Sequence, residues 1–335
     1  MNYMNDETIV AIAHPNIALI KYWGDVDVEW HIPANSSLSM NLAELFTQTA
    51  VTTSPHLSKD TLLIDGQPAS DNAVSRVEYF LNRFRDMYKL SGYFEIVSVN
   101  NFPANAGIAS SASAFAALSL AVTRASGLSL GEAELSRLAR LGSGSACRSI
   151  PGGFVEWQAG NNHESSFAFT IAAPSHWNLV DCIAIVETKE KEISSLQGHE
   201  IAQSSPLQQA RIIHADERMD ECRFAIMSRD FDLLARVTEL DSHMMHAVMM
   251  TSNPPILYWQ PTTLAIMQAV IEWRKTGSPV CYSIDAGANV HVLCEADYAT
   301  IVTKRLEEIP GIIHVMLAKT GGPATIINST TLTQF

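Results

Sequence analysis

Residues 103–114 read PANAGIASSASA and run directly into an alanine-rich segment, which ties a glycine-bearing loop to a helix N-terminus. Gly107 permits a tight turn. The small side chains of Ser110, Ser111 and Ala112 leave backbone N–H groups open to an anion at the positive end of the helix dipole. Such a run has the make-up of a phosphate-binding loop and points to a nucleotide. The same small residues also suit a helix start packed closely against a neighbour.

With 335 residues, 47% apolar and 17% charged, the chain has the balance of a folded protein and room for two domains sharing core. The stretch 96–123 carries no charge, yet Asn100, Asn101, Pro103, Asn105 and several serines interrupt it too often for a bilayer span. The start, with Asp6 and Glu7, lacks the basic-then-apolar pattern of a secretory signal. No membrane segment is expected. A formal charge of −13 repels polyanions, and Lys and Arg are scattered rather than grouped with aromatics, so nucleic acid is not an expected partner. Cys147, Cys182, Cys222, Cys281 and Cys294 are widely separated and lack a C-x-x-C pair. They predict neither a disulfide framework nor a zinc knuckle, but buried thiols in a reducing cytoplasm.

No fixed repeat or low-complexity linker divides the chain, so organisation is read from changes in pattern. Segments 9–23, 49–53 and 61–64 predict strands, with Asp65-Gly66 as a hairpin turn. Val74, Val77, Phe80, Leu81 and Phe84 recur at helical spacing, and 93–99 returns to a strand pattern. After the alanine-rich helix, Ser129 and Glu132 have capping-box spacing, and Gly142 ends that helix. The segment 142–149, GSGSACRS, is expected as a hydroxyl-rich loop, followed by a Pro151-Gly152-Gly153 turn and a strand at 154–157. Beyond 172–174, strands at 180–186, 281–284, 290–293 and 312–317 accompany helices around 207–226, 231–248 and 262–274 and one through Leu306, an α+β pattern in two layers. Met244, Met245, Met249 and Met250 read as adaptable core filler between helices.

Four separated segments set polar or ionic residues among small neighbours: 14–24 (HPNIALIKYWG), the serine run, 142–149 with Arg148, and 283–289 (SIDAGAN). Taken singly, Asp285 fits an Asp-Ala-Gly turn, Lys21 a strand-end lysine carrying its ammonium to solvent, and Arg148 a structural ion pair. Taken in order, and with 33–39 (PANSSLS), 152–155 (GGFV), 191–195 (KEISS) and 254–258 (PPILY), the chain resembles the diphosphomevalonate decarboxylases of the GHMP small-molecule kinase superfamily over nearly its whole length. The resemblance implies an N-terminal α/β ATP-binding domain at 1–174, a C-terminal ferredoxin-like domain at 175–335, an active-site cleft between them, and a homodimer. It also implies ATP and Mg2+ as cofactors and a small anionic substrate, a phosphorylated mevalonate. The family phosphorylates the tertiary 3-hydroxyl, then expels phosphate and carbon dioxide as a double bond forms. A tertiary alcohol leaves poorly, so this chemistry needs a phosphoryl donor and a site that excludes water.

Within that resemblance, Asp285 matches the aspartate at the 3-hydroxyl, Lys21 the lysine beside the transferring phosphoryl group, and Asn16 a residue next to both. Arg148 matches the arginine that grips the substrate carboxylate through a planar two-point donor. Ser143 and Ser145 match substrate-contacting hydroxyls, Tyr22 belongs to the same substrate-binding stretch, and Ser111 matches the serine near the ATP phosphates and magnesium. Gly107, Ser110 and Ala112 complete the nucleotide loop, and Thr320-Gly321-Gly322-Pro323 is expected to line the cleft. Two departures bear on the substrate. Asp25 stands where the family motif Tyr-Trp-Gly-Lys has lysine, and Leu196 follows Ser194-Ser195 where many bacterial relatives carry arginine. Both remove a cation and predict a 5-end with less charge: mevalonate 5-phosphate, giving isopentenyl phosphate, rather than the 5-diphosphate. A 3-hydroxyl kinase and a non-catalytic binding relative are the other readings. The pairing of Asp285 with Arg148 argues against the first, and the presence of Lys21 and Asp285 against the second.

Overall fold

The computed structural model describes residues 7–102, 110–188 and 193–328. One sheet orders the strands Thr325–Ile327, Glu7–Ala13, Thr47–Thr53, Phe94–Asn100, Thr61–Ile64 and Gln67–Pro68. Asp65 and Gly66 both lie in the left-handed region, φ 51° and 75°, as a two-residue hairpin of the primed type requires, and they set Ile64 opposite Gln67. Helices Asp71–Tyr88, Ser110–Ala125 and Glu132–Gly142 cover one face of this sheet. Phe80, Leu81 and Phe84, the expected helical stripe, meet Val51 and Ile96 there. Ala112, Ala116, Ala117 and Ala121 are fully buried, because small side chains let the serine-led helix lie flat on the two strands beneath it.

A second sheet, ordered Phe167–Ala172, Phe154–Gln158, Ser37–Asn41, Asn16–Ile20, carries the strand that delivers Lys21. A third has the order Val280–Ser283, Val290–Glu295, Leu179–Ile185, His314–Lys319, all antiparallel, the strand order of a ferredoxin-like unit. One core runs between these two sheets: Ile17 and Leu19 pack with Ile183 and Leu293, together with Met219 and Leu234 of helices Ala215–Ser228 and Phe231–Met250. The Asn16–Ile20 strand is buried at every residue, and the Ser283 hydroxyl donates to the Ala18 carbonyl at 2.8 Å. That contact sets the end of the third sheet against Lys21. The expected boundary at 174 lies between the strands Phe167–Ala172 and Leu179–Ile185, while Thr325–Ile327 crosses back to pair with Glu7–Ala13.

Several local expectations are corrected. Ser129 does not cap a helix. The helix begins at Glu132 behind Gly131 with no side-chain cap, and the Ser129 hydroxyl instead accepts from Arg124 at the end of the preceding helix. The capping box that does form is Ser194 with Gln197, on a short helix Ser195–Ile201 that pattern reading passed over. GSGSACRS is not an open loop, since Gly144–Ser149 winds as a 3-10 helix. The helix expected at 207–226 breaks at His214 into Gln208–Ile213 and Ala215–Ser228. Met245 and Met249 are core residues, whereas Met250 is 38% exposed.

Thr320-Gly321-Gly322-Pro323 does not line the cleft. Gly321 donates to the Asn41 carbonyl at 2.7 Å and accepts from the Gly153 amide at 2.8 Å. A Cβ on Gly152 would fall 2.4 Å from the Pro323 nitrogen, so two glycine-bearing stretches press together as a structural strap. All five cysteines are buried and free. Among the described residues no helix is long and apolar enough to cross a membrane.

Candidate active site

Lys21 follows directly on the buried strand Asn16–Ile20, and its backbone is held from two sides. Its amide donates to Asp241 Oδ2 at 2.6 Å, and its carbonyl accepts from Arg211 Nη2 at 2.7 Å and Asn35 Nδ2 at 3.0 Å. The Lys21 side chain then reaches Asp285, with Nζ 2.5 Å from Oδ1, and is 1% exposed where Asp285 is 26% exposed. Burial pulls the Lys21 ammonium below the usual lysine range, and the Asp285 carboxylate opposes that shift. Asp285 sits just past the strand Val280–Ser283. Helix Phe231–Met250 pins that turn: Ser242 exchanges hydrogen bonds with both Ile284 backbone groups, and His246 Nε2 lies 3.3 Å from the Ile284 carbonyl. Asn289, further along, takes the Val186 and Glu187 amides.

Arg148, on the 3-10 helix, is buried and donates through Nε to Asn16 Oδ1 at 3.2 Å and through Nη1 to Ser37 Oγ at 2.6 Å. No described carboxylate forms an ion pair with it, so the structural ion pair expected of a buried arginine is not found. Burial lowers its pKa, and Nη2, which no described residue bonds, is left for an anion from the cavity. Asn16 makes no bond to Lys21 or Asp285. Its amide nitrogen binds Ser149 Oγ at 2.8 Å while its oxygen orients Arg148, so it positions the arginine.

These groups line one cavity of about 1180 Å³, enough for two small ligands side by side. Ser143 and Ser145 border it, and Ser143 Oγ stands 3.2 Å from Ser111 Oγ, which brings the 3-10 segment and the serine-led helix together at the cavity. Ser110 and Ser111 form the first turn of helix Ser110–Ala125, which carries no acidic residue, so the positive end of the dipole fits nucleotide phosphates. Ala112 is buried behind that turn. Gly107, with the rest of 103–109, and Lys191 and Glu192 lie outside the described residues. Among the described residues no group of three or more His, Cys, Asp or Glu could hold a metal. Magnesium commonly takes one or two protein ligands and completes its shell with phosphate oxygens and water, and the Ser111 hydroxyl suits that part.

The expectation for Asp25 changes. Its carboxylate is 3% exposed, accepts the Tyr22 hydroxyl at 2.5 Å and lies 3.4 Å from His31 Nδ1, behind the cavity wall rather than on it. Tyr22 does line the cavity, with its ring edge-on to Trp157 at 4.6 Å and stacked on His199 at 4.0 Å. Leu196, on helix Ser195–Ile201, borders the cavity and is 41% exposed.

Pattern reading missed the supports. Asp241 is fully buried and receives Arg218 Nε at 2.7 Å, with Arg211 Nη2 at 3.8 Å, and this ion cluster holds the Lys21 backbone. The signal available was an acidic residue on the buried face of an amphipathic helix, with arginines seven apart on neighbouring segments. His199 was missed because it sits on the overlooked short helix.

Comparisons with known proteins agree along the chain. A model of the diphosphomevalonate decarboxylase-like N-terminal domain matches residues 13–168, and one of the mevalonate 5-diphosphate decarboxylase C-terminal domain matches residues 182–321. Diphosphomevalonate decarboxylase of Saccharomyces cerevisiae is 38% identical over 84% of this chain and 76% of its own length. Phosphomevalonate decarboxylase of Haloferax volcanii is 32% identical over 95% of this chain and 97% of its own. Among solved structures, "MDDEF in complex with MVAPP, AMPPCP and Magnesium" superposes with a TM-score of 0.90 at 36% identity, covering 96% of this chain and 99% of that one.

Proposed function

Since this chain belongs to the diphosphomevalonate decarboxylase family, we propose that it acts on mevalonate 5-phosphate with ATP, giving isopentenyl phosphate, ADP, phosphate and carbon dioxide. Bound ATP with Mg2+, as in the AMPPCP and magnesium complex of a structural neighbour, supplies the phosphoryl group that makes the 3-hydroxyl a leaving group. The Ser110–Ser111 turn receives the phosphates, and Ser111 is the residue read as touching the metal. Asp285, the more exposed partner of the Lys21 pair, takes the hydroxyl proton, while Lys21 sets a cation beside developing negative charge. Arg148 Nη2 holds the substrate carboxylate, the group that departs as carbon dioxide when the C–C bond breaks. Asn16 and Ser37 fix the plane of that guanidinium. Ser143 and Ser145 donate to the substrate from the facing wall.

One observation carries the choice of a monophosphate. Around Tyr22, the ionisable side chains that line the cavity from hairpin 25–33 and helix Ser195–Ile201 are Glu29, His31, His199 and Glu200, with no Lys or Arg among these described residues. A second phosphate there would add negative charge against two carboxylates, with no Lys or Arg on the described part of these two segments to offset it. Asp25 enters this reading through Tyr22, whose hydroxyl it occupies. With ATP and Mg2+, kcat/KM is expected to be higher for mevalonate 5-phosphate than for the 5-diphosphate; equal or reversed efficiencies overturn the monophosphate assignment and leave the decarboxylase reading standing. The similarity to the Saccharomyces enzyme favours the diphosphate as the second reading, and the same assay decides it. Release of carbon dioxide together with ADP separates both from a 3-hydroxyl kinase, which would release ADP alone.

Leu196→Arg restores a cation on that wall. The ratio of efficiencies is expected to move toward the diphosphate by roughly 5- to 150-fold, the range for about 1–3 kcal/mol of added attraction in a partly screened cleft. An unchanged ratio would mean that this helix does not meet the 5-end.

A further inference from the structure

His199 lines the cavity and has no part in the proton and phosphoryl chemistry described above. It is placed with care. A Cβ on Gly198 would fall 2.4 Å from the Trp23 ring, so glycine lets helix Ser195–Ile201 settle on that indole, and the next residue comes to lie over Tyr22. The imidazole stacks on Tyr22 at 4.0 Å with planes 28° apart and tilts against Trp23 at 4.6 Å. Its Nδ1 lies 2.9 Å from the Gly24 amide, which can only donate. Nδ1 therefore carries no hydrogen, and the proton of the neutral ring sits on Nε2. Burial holds the ring neutral, with its pKa pulled down to about 4. Nε2 makes no bond to any described residue, so a single uncharged N–H of fixed direction is offered from the cavity wall.

In the proposed orientation of the substrate that N–H faces the 5-end. Arg148 and Asp285 take the C1 carboxylate and the C3 hydroxyl, and the nucleotide phosphates approach from the Ser110–Ser111 turn. The wall left for the 5-end includes Tyr22, His31, Leu196 and His199, with Ser194 and Gln197 tied to each other in the capping box. The Tyr22 hydroxyl is already spent on Asp25 and Leu196 has no donor. We propose that His199 Nε2–H donates to a non-bridging oxygen of the substrate's 5-phosphate and is a specificity-determining residue of this site, an inference that rests on the mevalonate 5-phosphate reading. A neutral donor serves one phosphate without bringing the positive charge that a second would need.

Two substitutions separate this contact from a purely structural role. His199→Gln puts an amide N–H near the position of Nε2 and gives up the Gly24 bond, whereas His199→Asn keeps an acceptor near Nδ1 and gives up the cavity donor. Calorimetric titration with mevalonate 5-phosphate is expected to show the Asn variant binding about 10- to 150-fold more weakly, the range for a hydrogen bond to a charged group, and the Gln variant within about 3-fold of the parent. Unphosphorylated mevalonate is expected to bind all three alike. If the Asn variant binds the phosphate as the parent does, or the Gln variant loses as much, His199 only holds Gly24 and the contact is refuted. Should the parent prefer the diphosphate while the Asn and Gln variants still diverge on both substrates, the monophosphate reading fails and the contact stands. In the unaltered protein, the 15N–1H resonance of His199 Nε2 is expected to shift on addition of mevalonate 5-phosphate and not of mevalonate; no shift with the phosphate also refutes the contact, whether or not the variants fold.

Discussion

Asp285→Asn is expected to slow turnover by about 100- to 10,000-fold, the usual contribution of a general base, while ATP affinity stays within about 2-fold. The amide keeps the shape of the carboxylate but cannot take the 3-hydroxyl proton. It also strips Lys21 of the anion 2.5 Å away, and for a lysine that is 1% exposed this favours the uncharged amine. Both losses fall on the chemical step, because neither side chain forms the Ser110–Ser111 turn that receives the nucleotide. Single-turnover assays of carbon dioxide release, with nucleotide binding measured separately, read the two effects apart. A folded variant with normal turnover would remove Asp285 from the reaction.

The second large effect lies away from the reacting atoms. Asp241→Asn leaves Arg211 and Arg218 buried without their shared anion, and breaking a buried pair from one side typically costs about 3–5 kcal/mol. For a chain of this size that corresponds to a fall in Tm of roughly 4–7 °C. The same carboxylate holds the Lys21 amide at 2.6 Å, so activity measured well below the transition is expected to fall as well, through loss of position at Lys21. Calorimetry showing a shift under about 2 °C would mean that the cluster is already balanced by other groups.

How far the sequence disclosed this architecture depended on how local each signal was. The Phe80, Leu81 and Phe84 stripe and the Asp65-Gly66 turn were legible because spacing and backbone preference act within a few residues. The Ser129 cap failed because a competing partner, Arg124, came from another helix. At the site, Lys21, Ser111, Ser143, Arg148 and Asp285 gather around one cavity while Asp25 and the 320–323 stretch do not line it, and the roles could not be read singly. Asn16 supports Arg148, and Asp25 is tied to Tyr22 behind the wall, since each role is set by partners far along the chain. The Asp241 cluster left only a faint trace for the same reason: a carboxylate on one helix means little until the packing of three segments brings two arginines and a backbone amide to it.

The return of Thr325–Ile327 to the first sheet bears on synthesis. During translation the strand Glu7–Ala13 leaves the ribosome early, but one of its edges gains a partner only when Ile327 can sit opposite Val10. Until then that edge presents unpaired backbone groups, the kind of surface that captures strands from other chains. A released chain ending before residue 325 would keep the cavity-lining residues together with an open sheet edge, so a late truncation is expected to lose soluble protein to aggregation.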